Sequence, residues 1–492
     1  MPMTDETPAP AQQAHPVQGA RARWARLPRL WKGVLVLGIV GLVVAASLGP
    51  PGLFSPKPAY RIISFDTGRA YADHEWFEAL GPRMTGTEAE MVGAQYIVDQ
   101  MAAAGLKNTH VEEYDLHLFE VVRAEVSMVS YGPLGLFPRP GASPVAFEHT
   151  VDFVVQGFSG SLAWSDFRDD LQVADLGNGT DNSSWAAAAG RCGVMYNDQW
   201  TAGNTALFRK AKENNLAALA VQNRAGHPET NFTPIFKGVY FDEGETLPDI
   251  PFFDMSKKMG ETVMSAAAGG SRIRLSFDVP RKDVKVRVAV GDIPGTEKSS
   301  KYVLVGAHLD TVYNGPGAVD NTAGTVTALE TARNLAKERP KKTIRFAWFG
   351  GEEEGLFGSQ LYVEAHAEDI KKNLVFMENL DMPNIDSPRG LTGFIGTNDN
   401  ASLPHYKAIA RQVQQADTRL SKYSLTIVYN AMRIGSDQAP FAEAGKKVCF
   451  AAGSGCLEYH TYLDDISHIN SESESLFGKI IGTYAIYLAD NG

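Results

Sequence analysis

From Lys285 to the end of the chain, short apolar runs alternate with stretches in which apolar residues recur every three or four positions. The run 303–305 predicts a buried strand, and the periodic stretch 322–336 predicts a helix that ends before Pro340. Further strands are predicted over 343–349, 374–377 and 448–451. Because strands alternate with helices, we expect βαβ units and a largely parallel sheet with helices on both faces.

Two upstream segments follow other patterns. From about Glu75 apolar residues recur at helical spacing until Gly105, where the run ends. Over residues 117–285, short β-type runs alternate instead with loops rich in Gly, Asn and Ser, and one amphipathic helix is predicted over 205–214. The β-type runs lie at 151–155, 192–196 and 217–221. This pattern predicts a small, separate β-rich domain.

An uncharged and almost wholly apolar segment, 33–49, follows a cluster of five basic residues near the N-terminus. Its 17 residues are at the lower limit for crossing a bilayer. The positive-inside rule puts residues 1–32 in the cytoplasm and the rest of the chain outside it, in a periplasmic or extracellular location. We interpret the segment as an uncleaved signal anchor, because the region before it is long for a signal peptide; the alternatives are secretion after cleavage near Ala46 and a buried core helix.

Composition excludes several classes of protein. The 492 residues are 44% hydrophobic and 21% charged, which is globular composition and not that of a disordered or collagen-like chain. The net charge of −11 argues against a general nucleic-acid binder. Beyond residue 50 the chain holds 41 basic and 55 acidic residues, a net −14. Three cysteines are too few for a disulfide framework.

Residues able to bind a metal follow each predicted strand. His308 and Asp310 follow the first strand, and Asp320 lies in the next loop. Glu352 and Glu353 follow the strand 343–349. Asp381 follows the strand 374–377, and His460 comes after the strand 448–451 and a glycine-containing loop. Sites in such sheets form outside the carboxyl ends of the strands, so we expect these side chains to share one site.

Each of these residues also has an ordinary structural explanation. Asp320 could cap a helix, the run Glu352–Glu354 could be a solvated charge run, and Asp381 could be a turn residue. Their coincidence on one edge of one sheet favours a shared metal site. Imidazole and carboxylate ligands without cysteine suit catalytic Zn²⁺, and two histidines with three carboxylates suffice for two ions that share one carboxylate.

The five segments that contain these residues resemble the metal-site motifs of the di-zinc aminopeptidases, the group that also includes glutamate carboxypeptidase and the transferrin receptor. The segments are 308–310, 317–324, 351–359, 379–382 and 460–464, and they occur in the order and spacing of that family. The resemblance covers 286–492 and implies the zinc exopeptidase fold. The region 117–285 resembles in pattern the protease-associated domain that members of the family carry as an insertion.

The resemblance implies a role for each motif residue. His308, Asp320 and Asp381 would bind one Zn²⁺, and Asp320 would bridge to a second that Glu353 and His460 also hold. Glu352 would be the general base. Asp310 is placed to accept the second N–H of the His308 ring, which would fix its tautomer. Asp464 could orient His460 in the same way or could be a structural turn residue.

Two departures from the family pattern concern the segment 435–441. Gln438 stands where a histidine is common, and Arg433 stands where some members place a tyrosine that stabilises the oxyanion. Arg433 could take over that role, could bind a substrate carboxylate, or could form a surface salt bridge. Cys449 and Cys456 flank a glycine-containing loop and could form a disulfide outside the cell; two free buried thiols are the alternative.

We therefore expect an α/β protein whose mostly parallel central sheet is flanked by helices, with an inserted β-rich domain and an N-terminal transmembrane helix. The expected function is zinc-dependent hydrolysis of N-terminal residues from peptides by two Zn²⁺ ions and a Glu base. A carboxypeptidase of the same group and a non-catalytic, receptor-like binding protein are the alternatives. The predicted divisions are a basic disordered tail (1–32), the anchor (33–49), a Pro-rich linker (50–62), the first part of the peptidase domain (63–116), the inserted domain (117–285) and the di-zinc peptidase domain (286–492).

Overall fold

The computed structural model describes residues 60–197, 204–223, 233–237, 239, 248–433 and 435–492. The chain divides between Ala59 and Tyr60 into two units, and every described residue belongs to the second. The predicted tail, the predicted anchor and most of the Pro-rich linker lie outside the described residues. Among the residues that are described, no helix has the length and apolar character needed to cross a membrane.

The strands and helices of the described residues are named here in chain order. The strands are β1 Lys107–Phe119, β2 Arg123–Val129, β3 Val145–Phe147, β4 Phe153–Val155, β5 Val173–Asp175, β6 Cys192–Asn197, β7 Ala218–Asn223, β8 Phe252–Met255, β9 Arg272–Asp278, β10 Arg281–Ile293, β11 Tyr302–His308, β12 Thr343–Phe349, β13 Leu374–Leu380, β14 Thr392–Thr397, β15 Ser424–Tyr429 and β16 Val448–Ala452. The helices are α1 Thr67–Leu80, α2 Glu88–Ala104, α3 Asn182–Ala187, α4 Asn204–Glu213, α5 Lys257–Ala268, α6 Ala323–Leu335, α7 Glu352–Gly355, α8 Phe357–Ala365, α9 Ala367–Asn373, α10 Leu403–Ala416, α11 Gln438–Glu443 and α12 Ser471–Asn491.

The largest sheet has eight strands in the order β1-β10-β12-β11-β13-β16-β14-β15. Its centre, β12-β11-β13-β16, is parallel, as the apolar runs predicted. The rest makes the sheet mixed: β10 runs antiparallel to β1 and β12, and β14 runs antiparallel to β16. The sequence pattern did not reveal β1, because exposed and half-buried residues alternate along it, whereas central parallel strands read as continuous apolar runs.

Alternation along β11 shows how this sheet buries two faces. Val303 and Val305 pack in the core that α6 and α12 share, while Tyr302 and Leu304 face a second core. Successive strand residues point to opposite faces, so one apolar run serves both layers. Helices therefore cover both faces of the central strands, and the loops at the carboxyl ends of these strands remain available to build a site.

Helix boundaries differ in part from the predictions. The helix predicted over 322–336 is α6, which follows a π-type turn at Ala318–Thr322. The pattern that begins near Glu75 corresponds to two helices. The first, α1, begins eight residues earlier than expected, where the Asp66 side chain accepts hydrogen bonds from the backbone N–H groups of Gly68 and Arg69. The second, α2, ends at Gly105 as predicted, with that glycine in the left-handed conformation.

The chain leaves the large sheet after β1 and returns to it with β10, the antiparallel neighbour of β1. Between them, residues 123–278 form a three-stranded sheet, β3-β2-β9, and a five-stranded sheet, β4-β8-β7-β6-β5. We call residues 123–278 the insertion. The three predicted β-type runs correspond to β4, β6 and β7. The domain boundaries 117–285 and the likeness to a protease-associated domain stay predictions.

Candidate metal centre

The carboxyl ends of the central strands bring the predicted metal-binding residues together. His308 ends β11, the pair Glu352–Glu353 begins α7 directly after β12, and Asp381 directly follows β13. Asp320 lies in the π-type turn before α6, and His460 lies in the loop after β16. Parallel neighbours end at the same edge of the sheet, which is why residues up to 152 positions apart meet there.

Asp320 occupies the middle of the cluster. Its Oδ1 lies 3.2 Å from Nε2 of His308, and its Oδ2 lies 3.1 Å from Nε2 of His460. Nε2 of His308 is also 3.5 Å from an oxygen of Asp381, and Nε2 of His460 is 2.9 Å from an oxygen of Glu353. The five predicted ligands thus form two groups that share the Asp320 carboxylate, one oxygen to each group.

The donor atoms of this cluster fit a cation. Nε2 of both histidines, Oδ1 of Asp381 and Oε1 of Glu353 are buried without a hydrogen-bond partner. Leaving buried polar atoms unsatisfied costs about 1–3 kcal/mol each, which a bound ion would offset. Imidazole nitrogens and carboxylate oxygens are the ligands of catalytic zinc sites, and no cysteine is present among them. The residues present therefore suit Zn²⁺.

Glu352 lies beside the candidate ligands but is not one of the close histidine–carboxylate pairs. Its carboxylate groups with His308 and Asp381, with one ligand atom of each residue within 4.8 Å of the others. It is half-buried, whereas its neighbour Glu353 is buried. Burial raises the pKa of Glu352 well above its ordinary value, and the charges of Asp381 and Glu353 add to this increase. A carboxylate in these surroundings readily accepts a proton.

Asp310 contacts two of the candidate ligands, His308 and Glu353. Nδ1 of His308 lies 3.2 Å from the carbonyl oxygen of Asp310 and 3.4 Å from its Oδ1. The second carboxylate oxygen, Oδ2, accepts a hydrogen bond of 3.1 Å from the backbone N–H of Glu353. The predicted position of Asp310 next to the imidazole is therefore observed, and its contact with the backbone of Glu353 is an addition that the sequence did not indicate.

Asp464 does not orient His460, so that alternative is wrong. Its two oxygens accept hydrogen bonds from the backbone N–H groups of Val319 and Asp320, at 2.9 and 3.0 Å. Burial raises the pKa of Asp464 to about 7. The turn that follows His460 directs this carboxylate towards the Asp320 loop, while Nδ1 of His460 lies 2.7 Å from the carbonyl oxygen of Phe236. Asp464 thus holds the turn that carries Asp320.

Several residues at the centre were not found by sequence reasoning. Phe236 and Lys237 come from the insertion, where the sequence shows neither a motif nor a charged cluster. The Lys237 ammonium donates a hydrogen bond of 3.0 Å to the hydroxyl of Tyr459, whose ring stacks on that of His460 at 3.8 Å. Asp437, which lies in the motif segment 435–441 of the sequence analysis, is also buried here, and burial raises its pKa to about 7. The only sequence signal for Tyr459 was its position before His460.

The two departures from the family pattern have different surroundings. Gln438 accepts a hydrogen bond of 3.1 Å from Nδ2 of Asn379, which also donates to Oγ of Ser436 at 2.9 Å, so this loop is tied to β13. Arg433 is exposed in the loop after β15, and its role in oxyanion or substrate binding stays a prediction. Cys449 and Cys456 are free and buried, like Cys192, so the alternative of a disulfide is wrong.

A mixed α/β sheet with two histidines and several carboxylates at the carboxyl ends of its central strands is the architecture of a metallopeptidase. The profile of Peptidase family M28 matches residues 289–485, a segment that contains all the candidate metal ligands. This segment, about two fifths of the chain, is similar to that family.

Comparisons with individual proteins agree. The chain is 26% identical over 444 residues to Aminopeptidase YwaD of Bacillus subtilis, across 89% of this chain and 85% of that protein. It is 25% identical over 311 residues to Carboxypeptidase Q of Rattus norvegicus, across 61% of this chain and 62% of that protein. Among solved structures, BSAP, a zinc aminopeptidase from Bacillus subtilis, superimposes with a TM-score of 0.65 at 23% identity, covering 87% of this chain and 96% of that one. This last likeness establishes the fold.

Proposed function

We propose that this protein is a zinc-dependent aminopeptidase that hydrolyses the first peptide bond of peptides and uses two Zn²⁺ ions. The observation that carries the proposal is the position of Asp320, whose two oxygens each face the Nε2 atom of a different histidine. One carboxylate between two imidazoles, each with a further carboxylate beside it, is the ligand arrangement expected for a pair of ions.

The proposed ligands divide as the distances suggest. His308, Asp320 and Asp381 would hold one ion, and Asp320, Glu353 and His460 would hold the other. Zinc bound there supplies a Lewis acid that lowers the pKa of a water molecule and polarises the scissile carbonyl. Asp310 would keep the His308 ring in the tautomer that presents Nε2 to the ion.

Glu352 would carry the proton. Its raised pKa suits a carboxylate that accepts the proton of the attacking water and then delivers it to the leaving amine, first as general base and then as general acid. General acid–base catalysis of this kind contributes typically about 10²–10⁴-fold to the rate. Glu353 is not proposed as the general base, because its Oε2 faces His460 and its backbone N–H is bound by Asp310.

The preference for the amino end of a peptide is supported by the relative that matches most of the chain, which is named an aminopeptidase. A carboxypeptidase is the second candidate, supported by the match to a protein of that name and by exposed Arg433, which would bind the terminal carboxylate.

Aminoacyl anilides and N-blocked peptides, each tested with and without a chelator, separate the two candidate functions. Chelator-sensitive cleavage restricted to substrates with a free amine supports the aminopeptidase. Cleavage of N-blocked peptides from their carboxyl end supports the carboxypeptidase, and no cleavage of any substrate would indicate a binding protein.

Glu352→Ala tests the proposed base. We expect the variant to retain zinc, because Glu352 is not a proposed ligand, and to lose at least about 10²-fold in kcat. Zinc content by elemental analysis and steady-state kinetics on an aminoacyl anilide check the two expectations. Glu364→Ala, at an exposed glutamate of α8, is the control and should keep both zinc and kcat. Substantial remaining turnover in Glu352→Ala would rule out its role as base.

We also propose that residues 33–49 anchor the protein in the cytoplasmic membrane and that the peptidase acts on peptides outside it. The basic cluster before the apolar segment supports this orientation. Treatment of intact cells or spheroplasts with protease tests it. Digestion of the described part without lysis agrees with the proposal, and its protection contradicts it.

A further inference from the structure

A short segment of the insertion, residues 233–237, lies against the metal centre. The carbonyl oxygen of Phe236 lies 2.7 Å from Nδ1 of His460, and the backbone N–H of Phe236 donates to the carbonyl oxygen of His460 at 3.3 Å. An imidazole that donates from Nδ1 to a carbonyl keeps its Nε2 lone pair available for a metal. Nε2 of His460 is the atom that faces Asp320 and Glu353. The insertion therefore sets the tautomer and the direction of this proposed ligand.

The backbone of His460 needs such contacts. His460 adopts the left-handed conformation, with φ of 60°, which residues with a Cβ atom adopt only where their surroundings hold them. Its carbonyl oxygen also accepts a hydrogen bond of 3.1 Å from Nδ2 of Asn314. Phe236 thus contacts His460 through both the ring and the main chain, and it does so from a position 224 residues away in the sequence.

Gln156 holds the segment in this position. Its Nε2 donates to the carbonyl oxygen of Ile235 at 2.8 Å, and its Oε1 accepts from the backbone N–H of Lys237 at 2.9 Å, so one side chain brackets Phe236 on both sides. Gln156 directly follows β4 and is 1% exposed. On β8, Asp254 accepts from the backbone N–H of Ile235 at 2.8 Å. The polar side chains of the insertion therefore fix where the Phe236 carbonyl points.

Lys237 makes a second link between the insertion and the centre. Its ammonium donates to the Tyr459 hydroxyl at 3.0 Å and lies 4.2 Å from the centre of that ring, which in turn stacks on His460. The insertion therefore contacts His460 in two ways. Phe236 binds Nδ1 at the edge of the imidazole, and Lys237 binds the Tyr459 ring that stacks on it.

We infer that the insertion is a structural part of the catalytic centre, with Gln156 as a positioning residue that orients the zinc ligand His460 through the carbonyl of Phe236. This inference rests on the proposed role of His460 as a ligand. Partners that orient metal-binding histidines are typically worth about 10–100-fold in metal affinity. The expected consequence is selective: the ion at His460 and Glu353 depends on Gln156, and the ion at His308 and Asp381 does not.

The test compares Gln156→Leu with Gln222→Leu in the full chain. Gln222 is a matched control, because it is 2% exposed in the same insertion but its Nε2 donates to the carbonyl oxygen of Lys257, which lies outside the segment 233–237. Competition between the metal-free protein and a chromophoric chelator gives the dissociation constant of each Zn²⁺. His460→Ala identifies which constant belongs to the His460 ion.

We expect Gln156→Leu to weaken that one ion about 10-fold or more, to lower kcat with little change in KM, and to leave the other ion unchanged. Gln222→Leu should keep both Zn²⁺ dissociation constants and kcat at wild-type values, even if its melting temperature falls as much as that of Gln156→Leu. Wild-type zinc affinities in Gln156→Leu, or an equal loss in Gln222→Leu, would overturn the inference. If Gln156→Leu does not fold, Gln156→Glu provides the test. This variant keeps the acceptor for the Lys237 backbone and loses the donor to the Ile235 carbonyl. Unchanged zinc affinity in Gln156→Glu would overturn the inference.

The outcome also separates this inference from the proposed function. A wild-type protein that binds no zinc would overturn both. A wild-type protein that binds zinc and cleaves aminoacyl anilides, together with an unaffected Gln156→Leu variant, would overturn the positioning role alone.

Discussion

Asp320 joins the two halves of the centre, because no other side chain of the described residues has one oxygen beside each of the two Nε2 atoms. We therefore predict that Asp320→Asn loses affinity for both ions, whereas Asp381→Asn loses affinity only for the ion beside His308. The amide offers one oxygen and turns an N–H donor towards the second ion. Zinc per protein after gel filtration measures the difference. Two equivalents retained by Asp320→Asn would contradict the bridging assignment.

Glu378 is a buried carboxylate that the proposed chemistry does not use. It is fully buried in β13, accepts a hydrogen bond of 2.9 Å from the hydroxyl of Tyr406, and has its second oxygen unpartnered. Burial raises its pKa well above the ordinary value, so the folded state binds this proton more tightly than the unfolded state. Its contribution to the free energy of unfolding is present below the unfolded pKa and is lost as the pH rises through the folded pKa.

Glu378→Gln should remove this pH dependence. The melting temperature of the variant relative to wild type should increase between pH 5 and pH 8, corresponding to up to about 1.4 kcal/mol for each pH unit over which wild-type Glu378 stays protonated in the folded state. Comparing the two proteins at each pH cancels the effects of all other titrating groups. A constant difference across this range would show that Glu378 titrates normally.

Asp310 and Asp464 show what sequence reasoning can establish about single residues. Each lies a few positions after a predicted histidine ligand, and both were candidates to orient an imidazole. Asp310 contacts the ring of His308, while Asp464 accepts from the backbone of Val319 and Asp320. The spacing from the histidine does not decide which group the aspartate contacts. That depends on the direction of the backbone after the histidine, which is set by turns that have no periodic sequence pattern.

At the scale of elements, the glycines after β12 set where Glu352 and Glu353 stand. Gly358 in α8 donates its N–H to the carbonyl oxygen of Gly350 at 2.9 Å, and a Cβ at Gly358 would overlap that backbone oxygen. We predict that Gly358→Ala lowers the free energy of unfolding by about 1–3 kcal/mol, because backbone on both sides must shift. It should also reduce zinc content, since the shifted turn carries Glu353.

Gly68→Ala is the control for this prediction. Gly68 lies in the first turn of α1, where an added Cβ meets only Oδ1 of Asp66 at 3.5 Å. Alanine is favoured over glycine in helices by up to about 1 kcal/mol, so the variant should be as stable as wild type or more stable. Thermal unfolding and zinc analysis of both variants provide the comparison. Equal stability of the two would show that α8 can move away from β12 without penalty.

The elements that could be predicted are those whose environment repeats along the sequence. Strands β11, β12, β13 and β16 are buried on both faces and read as apolar runs, so their presence and the meeting of their carboxyl ends followed from the pattern, whereas their order in the sheet did not. Strand β1, half-exposed along its length, did not stand out. Residues 233–237 could not be predicted either, because they belong to no helix or strand and their contacts with the centre are with residues more than 200 positions away.

At the scale of the molecule, an unusual number of buried carboxylates gather at the candidate metal centre. Buried carboxylates at or beside the centre outnumber the two cations described near them, buried Arg83 and half-buried Lys237. The buried carboxylates are Asp310, Asp320, Glu353, Glu354, Asp381, Asp437 and Asp464. Burial of ionised groups without compensation is costly, and here it raises the pKa values of Glu353 and Glu354 well above the ordinary range. Two divalent cations would supply four positive charges at this position.

Removal of zinc should therefore weaken the whole described unit, and not the active site alone. The proposed ligands come from β11, from α7 after β12, from β13 and from the loops before α6 and after β16, so the ions would hold together the carboxyl ends of the central strands. A ligand that binds only the folded state adds about 4 kcal/mol to the free energy of unfolding at a concentration 1,000 times its Kd. We expect a chelator to lower the melting temperature, stoichiometric Zn²⁺ to restore it, and Mg²⁺, which prefers oxygen ligands, to fail. In His308→Ala the chelator should have a smaller effect. An unchanged melting temperature in chelated wild-type protein would show that the buried charges are neutralised by protonation, without a need for metal.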